Sequence, residues 1–163
     1  MEDFILKKGF LSLEEQKKLI SEVITIDPGL YSPVLRNGNK MSIKMNCLGY
    51  HWSSITYKYD KIRDVDGKEA AAIPDYLQAL AQKALIDTGY WPKEDLKPFD
   101  ICIVNFYNES SKLGIHRDDS ETQETLESGY PIVSFSVGAS AIFNIGGVDR
   151  KDPMEAETVS NIL

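Results

Sequence analysis

The 163-residue chain is predicted to fold as one α+β domain, with helices first and an antiparallel, jelly-roll-like β core after them. Two observations carry this expectation. Near residues 13–24 and 76–85, apolar side chains recur at helical spacing and are bracketed by cap signals. From Asp100 onward the apolar runs are short, β-rich and separated by Gly, Ser and Asn, the pattern of a sandwich or barrel.

The first helix is signalled by Ser12 as N-cap with Glu15 three residues on, a capping box. Leu13, Leu19, Ile20, Val23 and Ile24 then fall on one face, and Asp27-Pro28-Gly29 ends the run. Residues 30–60 are expected to be strands and turns: Arg36-Asn37-Gly38-Asn39 contains the Asn-Gly hairpin signal, residues 41–45 alternate, and residues 52–59 are rich in aromatic and β-branched side chains. Residues 60–72 are expected to be a charged loop around Asp66-Gly67. A second helix starts near Pro74, buries Tyr76, Leu77, Leu80, Ala81, Ala84 and Leu85, and stops at Gly89. Strands are then expected at residues 100–107, 113–116, 131–137 and 141–145.

Composition narrows the function. A net charge of −7 argues against a protein that coats nucleic acid non-specifically, though not against a local basic groove. Lys7, Lys8, Lys17 and Lys18 are expected to be solvated charges on and before the first helix. No run of about 18 apolar residues exists to span a membrane, and the acidic N-terminus has no signal-peptide pattern. Cys47 and Cys102 form neither a disulfide framework nor a metal motif and are expected to be small buried thiols. A cytoplasmic, reducing location fits.

Only two histidines exist, His51 and His116. His116 lies in Leu113-Gly114-Ile115-His116-Arg117-Asp118. On a strand, residues two apart share a face about 6–7 Å apart, so this imidazole and carboxylate could converge on one cation. A His-x-Asp pair is two-thirds of the two-histidine, one-carboxylate triad of non-haem iron(II) oxygenases. Alone it is weak, since a surface histidine beside an acidic turn has the same spelling. Its surroundings add weight: Asn105-Phe106-Tyr107 upstream, and Pro131-Ile132-Val133-Ser134-Phe135-Ser136-Val137-Gly138 and Ala141-Ile142-Phe143-Asn144-Ile145-Gly146-Gly147 downstream.

With Arg150-Lys151-Asp152-Pro153, these segments closely resemble the AlkB family of iron(II)- and 2-oxoglutarate-dependent dioxygenases over residues 100–153. A fainter likeness runs back through Met41-Ser42-Ile43-Lys44-Met45 and Tyr50 to Tyr57. The resemblance implies a double-stranded β-helix (jelly-roll) core with N-terminal helices packed on the sheet. It implies one domain, with an N-terminal extension and nucleotide-recognition lid in residues 1–95 and the first part of the core in residues 96–163. By resemblance, His116 and Asp118 are iron ligands. Asn105 and Tyr107 contact 2-oxoglutarate, and Leu113 and Ser134 line its site. Met45, Tyr50 and Tyr57 belong to the lid that holds a flipped-out base, where stacking suits aromatic groups. The implied cofactors are Fe(II) and 2-oxoglutarate, and the implied partner is DNA or RNA bearing alkylated bases. The implied reaction hydroxylates an N-methyl carbon while 2-oxoglutarate becomes succinate and carbon dioxide; the product then releases formaldehyde.

The chain departs from the family pattern in two ways. The second iron-binding histidine and the arginine for the 2-oxoglutarate carboxylate belong to strands later than Leu163, so the core is expected to be incomplete at its C-terminus and the 163-residue chain inactive by itself. His51 is a weak substitute for the third ligand, being in the lid. Where the family prefers an acid two residues after the iron-binding Asp, Ser120 stands between Asp119 and Glu121. Exposed sheet edges and apolar faces at Ile132, Phe135, Ile142 and Phe143 are expected to drive self-association. The alternative to an enzyme is a catalytically inactive module that binds nucleic acid or a partner protein. A cupin-like metal enzyme fits less well, since two histidines are few for that class.

Overall fold

The computed structural model describes residues 4–118, 123–147, 149 and 151–159. Among these residues the order is α1 (Leu13–Val23), β1 (Lys44–Leu48), β2 (His51–Trp52), β3 (Tyr59–Asp60), α2 (Asp75–Thr88), a 3₁₀ turn (Lys93–Asp95), β4 (Cys102–Phe106), α3 (Gln123–Ser128), β5 (Ala141–Gly146) and β6 (Met154–Val159). The strands form three antiparallel pairs, β1–β4, β2–β3 and β5–β6.

Both main helices start and stop where local chemistry dictates. The Ser12 hydroxyl accepts from the Glu15 amide at 3.3 Å, and the Glu15 carboxylate accepts from the Ser12 amide at 2.7 Å, closing the capping box. Those hydrogen bonds hold the Glu15 carboxyl below its ordinary pKa. The apolar stripe of α1 is less buried than its periodicity suggests: Leu13, Ile20 and Ile24 are exposed, while Gln16 is the buried residue, its amide donating to the Leu11 carbonyl. Helix α2 is capped by Pro74 and ends on Gly89, whose φ of 66° only glycine adopts without strain. Lys17 and Lys18 pair with Glu14 and Glu22 on the solvent face of α1.

The core sits around β1. Met45, Cys47 and Leu48 are buried, as is Ile43 just before the strand. Each such side chain contributes about 1.5–3 kcal/mol by leaving water. Asn46, fully buried, donates to the Ile26 carbonyl at 2.9 Å, so the turn after α1 is tied to the strand. β1 pairs along its whole length with β4, Leu48 facing Cys102 and Lys44 facing Phe106. Burial pushes the Cys102 thiol up to about 11. At the β1 end, Gly49 is required: a Cβ there would meet the Asp100 carbonyl oxygen at 1.9 Å.

The remaining expectations divide by tertiary context. The Asn37-Gly38 turn forms, closed by Leu35–Asn39 backbone bonding and a single Val34–Lys40 bridge. Residues 60–72 are a small hairpin, not a loop, with an Ile62–Glu69 bridge and a turn at Gly67. Residues 113–116 are not a strand; the Gly114 carbonyl accepts from the His116 side chain. Residues 131–137 alternate in burial as an extended segment does, but no ladder partner lies among the described residues. Residues 141–145 do form a strand, β5, and its partner β6 was not expected. Two aromatic pairs seat the N-terminal segment on the β half: Phe10 on Phe135 at 5.9 Å and Phe4 stacked on Phe143 at 6.5 Å. Ile132 and Ile142 are 69% and 73% exposed. No helix among the described residues is long and apolar enough to cross a membrane.

Candidate metal centre and recognition hairpin

The segment from β4 to Asp118 is organised by side chains that replace ladder bonds. Asn108 Oδ1 accepts from the Ser110 amide at 3.0 Å, and Ser111 Oγ accepts from the Asn108 amide at 3.0 Å, a compact Asx turn. The Ser111 hydroxyl also lies 2.7 Å from the Ser42 carbonyl. Ser42 Oγ meets both the carbonyl and the amide of Lys112 at 3.1 Å. The residues before β1 thereby anchor the approach to His116.

His116 and Asp118 come together without a strand beneath them. Their side chains are half exposed, at 53% and 48%, and His116 Nε2 lies 3.6 Å from Asp118 Oδ1. That is too long for a hydrogen bond but close enough to share one cation. His116 Nδ1 sits 2.7 Å from the Gly114 carbonyl, which can only accept, so Nδ1 carries the proton. The lone pair is left on Nε2, facing Asp118. Fixing a ligand imidazole through its other nitrogen is the usual support of a metal-binding histidine. Imidazole nitrogen and carboxylate oxygen suit non-haem Fe(II). Two ligands of such a site therefore fit, while among the described residues no third His, Cys, Asp or Glu joins them.

Asn105 lies on β4 and Tyr107 directly follows the strand's last residue, Phe106. Tyr107 is exposed, and partial burial raises its pKa, so its hydroxyl is neutral and able to donate. Leu113 and Ser134 are also exposed. Ser120, Asp119, Glu121 and Arg150 lie outside the described residues.

The three expected lid residues have different settings. Met45 is buried on β1, opposite Asn105. Tyr50 is half-buried under Lys61, whose ammonium lies 5.9 Å from the ring, in a cleft of about 440 Å³ shared with Phe99 and Asp100. Tyr57 is on the turn joining β2 and β3, 45% exposed, with a φ of 56°, rare for a bulky residue. Its ring packs edge-on to Trp52 at 5.8 Å and under the Arg36 guanidinium at 5.0 Å. Arg36 Nε also donates to the Ile55 carbonyl. Trp52 and Arg36 are further candidate site residues: the aromatic run at 52–59 is the sequence signal for Trp52, and nothing local marks Arg36 as the neighbour of Tyr57.

His51 does not approach the His116–Asp118 pair to complete a ligand set. It is 1% exposed, with Nε2 2.7 Å from Asp64 Oδ1 and Nδ1 3.3 Å from the Tyr31 hydroxyl. Beside it Arg63 is equally buried and bonds Asp66 and Asp27 at 2.6 and 2.7 Å. These bonds, those from Asp66 foremost, raise the Arg63 pKa and depress that of Asp66.

The chain matches the family model described as the 2OG-Fe(II) oxygenase superfamily over residues 3–160. It is 34% identical over 170 residues to "DNA N(6)-methyladenine demethylase ALKBH1C" of Arabidopsis thaliana, covering 96% of this chain and 37% of that protein. It is 34% identical over 150 residues to "Alpha-ketoglutarate-dependent dioxygenase AlkB" of Escherichia coli, covering 90% of this chain and 65% of the relative. The solved structure titled "The structure of OsALKBH1" superposes with a TM-score of 0.77 at 30% identity, covering 96% of this chain and 78% of that one. The chain thus spans 37% of the length of the Arabidopsis relative. Family and neighbour together imply a double-stranded β-helix fold, with Fe(II) and 2-oxoglutarate as the family's cofactors. The described residues, with their His116–Asp118 pair and helices preceding a β-rich half, belong to an AlkB-like member of the 2OG-Fe(II) oxygenase superfamily.

Proposed function

We propose that this protein serves the oxidative demethylation of alkylated bases in nucleic acid, with N6-methyladenine in DNA as the first substrate to test. The observation that carries the reading is the His116–Asp118 pair, with His116 held by Gly114 so that Nε2 faces the carboxylate. The relatives named for DNA N6-methyladenine demethylation and for AlkB dioxygenase support the substrate class.

In this reading His116 Nε2 and Asp118 hold Fe(II). Bound Fe(II) with 2-oxoglutarate would supply the oxidation of the N-methyl carbon. Asn105 and Tyr107 donate hydrogen bonds to 2-oxoglutarate, and Leu113 and Ser134 line its site. Trp52 and Tyr57 present ring faces and edges to an extruded base, with Arg36 adding positive charge beside the phosphates. Met45, buried on β1, and Tyr50, directly before β2, belong to the same lid. The boundary between lid and core falls near residue 95, although β1 and β4 pair across it. Free thiols at Cys47 and Cys102 suit a reducing, cytoplasmic setting.

A second reading, a non-catalytic nucleic-acid-binding module, is favoured by the two-ligand count among the described residues. One experiment separates them. The chain is incubated with an N6-methyladenine oligonucleotide, Fe(II), 2-oxoglutarate and ascorbate. Formaldehyde release that requires 2-oxoglutarate and is lost in His116→Ala supports the enzyme. Oligonucleotide binding without formaldehyde, and without 2-oxoglutarate-dependent binding of Mn(II) at His116, supports the module. Absence of binding contradicts both.

A further inference from the structure

The turn that presents Tyr57 is held by a part-buried polar chain that the proposed chemistry leaves unused. Ser53 Oγ is its hinge point. It accepts from the amides of Ile55 and Thr56 at 3.2 and 3.1 Å, folding the turn, and donates to Asp64 Oδ2 at 2.6 Å. Asp64 Oδ1 accepts from His51 Nε2 at 2.7 Å, and the Tyr31 hydroxyl donates to His51 Nδ1 at 3.3 Å. Backbone bonds from Tyr57 N to Ser53 O, 2.8 Å, and from Ser53 N to Lys58 O, 2.9 Å, close the loop. The chain thus runs from the segment before β1, through β2, to the hairpin after β3.

This arrangement is not that of a nucleophile. The serine hydroxyl donates to the carboxylate, not to the imidazole, and His51 has both ring nitrogens engaged and 1% exposure. A purely packing histidine would not need a carboxylate that also grips the turn serine. The feature needing support is Tyr57, whose positive φ persists only where its surroundings over-determine it. Trp52, immediately after His51, is the other half of the aromatic pair.

We propose that His51 and Asp64 are positioning residues, clamping the β2–β3 turn so that Trp52 and Tyr57 stand in the orientation that receives a base. The proposal rests on the reading of that pair as a base-recognition surface. The clamp acts through Ser53 and touches no substrate itself.

The test follows Trp52 and binding separately. Asp64 is altered first because its side chain is 36% exposed and its loss leaves no large void. In Asp64→Ala, the Trp52 indole N–H resonance shifts and broadens, while that of Trp91, packed on Tyr130 elsewhere, stays put and certifies the fold. Affinity for a single-stranded N6-methyladenine oligonucleotide falls roughly ten-fold, the scale of one lost base stack. Asp64→Asn restores both, because its amide oxygen still accepts from Ser53 Oγ and its amide nitrogen donates to His51 Nε2 once the imidazole proton moves to Nδ1, where the Tyr31 hydroxyl accepts it. Should Asp64→Ala fail to fold, Ser53→Ala poses the same question from the other side of the carboxylate. An unmoved Trp52 resonance, or an Asn variant as impaired as the Ala one, overturns the clamp. A Trp52 response in a protein that binds no oligonucleotide upholds the clamp as the determinant of the turn and rejects the base-recognition reading alone.

Discussion

One hydroxyl joins two distant segments: Ser42 Oγ donates to the Lys112 carbonyl and accepts from the Lys112 amide, both at 3.1 Å. Seventy residues separate the pair in sequence, and the bond sits four residues ahead of His116. Ser42→Ala is expected to loosen the approach to His116 and weaken Mn(II) binding several-fold, with a stability loss of about 1 kcal/mol for the two exposed hydrogen bonds. Titration of the variant checks this. Unchanged metal affinity would restrict Ser42 to fold stability.

Tyr57 separates strain from recognition. Tyr57→Gly relieves a left-handed backbone, a cost of about 1 kcal/mol or more, but removes the ring that packs on Trp52 and Arg36. Its melting temperature should stay near that of the parent while oligonucleotide affinity falls by about 1–3 kcal/mol. Tyr57→Phe should retain most affinity. Fluorescence anisotropy alongside thermal melts distinguishes the two effects.

These local features were legible to different degrees. The Ser12–Glu15 box, the Asn37-Gly38 turn and the Gly89 cap are written within a few residues, so the sequence announces them. His116 and Asp118 are likewise neighbours, and their pairing survives although the expected strand does not form. His51 is different. Its partners Tyr31 and Asp64 lie 20 and 13 residues away, so its burial follows only from tertiary folding. Arg63 reads as one charge in a polar loop, yet it is enclosed because Asp27, after α1, reaches it. Residues 131–137 carry a strand's alternation, but a strand also needs a backbone partner, which no single run specifies.

Arg63 offers a stability test. Removing it leaves Asp27, 68% exposed, and Asp66, 28% exposed, to be rehydrated, so Arg63→Ala should cost about 2 kcal/mol rather than the larger penalty of a stranded buried charge. Asp66 sets the pH dependence. Its folded pKa lies below the ordinary 3.8, so its contribution is present above that value and disappears as pH falls through the lower, folded one. The acid loss of stability should therefore be shallower in Asp66→Asn. Urea melts across that range give the slope.

Exposed Ile132, Ile142 and Phe143 lead to a prediction about association. The protein should form dimers or larger species at high concentration, and Ile142→Ser should shift it toward monomer. Light scattering over a concentration series measures this. A strictly monomeric parent would contradict it.

The central claim is that His116 and Asp118 are two ligands of a metal site that also binds 2-oxoglutarate. Its most direct test is an anaerobic calorimetric titration with Mn(II), the redox-silent counterpart of Fe(II), with and without 2-oxoglutarate. The account predicts saturable binding near one-to-one, weak for the metal alone, strengthened by 2-oxoglutarate and abolished in His116→Ala. No saturable binding in the presence of 2-oxoglutarate, or binding indifferent to His116→Ala, would contradict it.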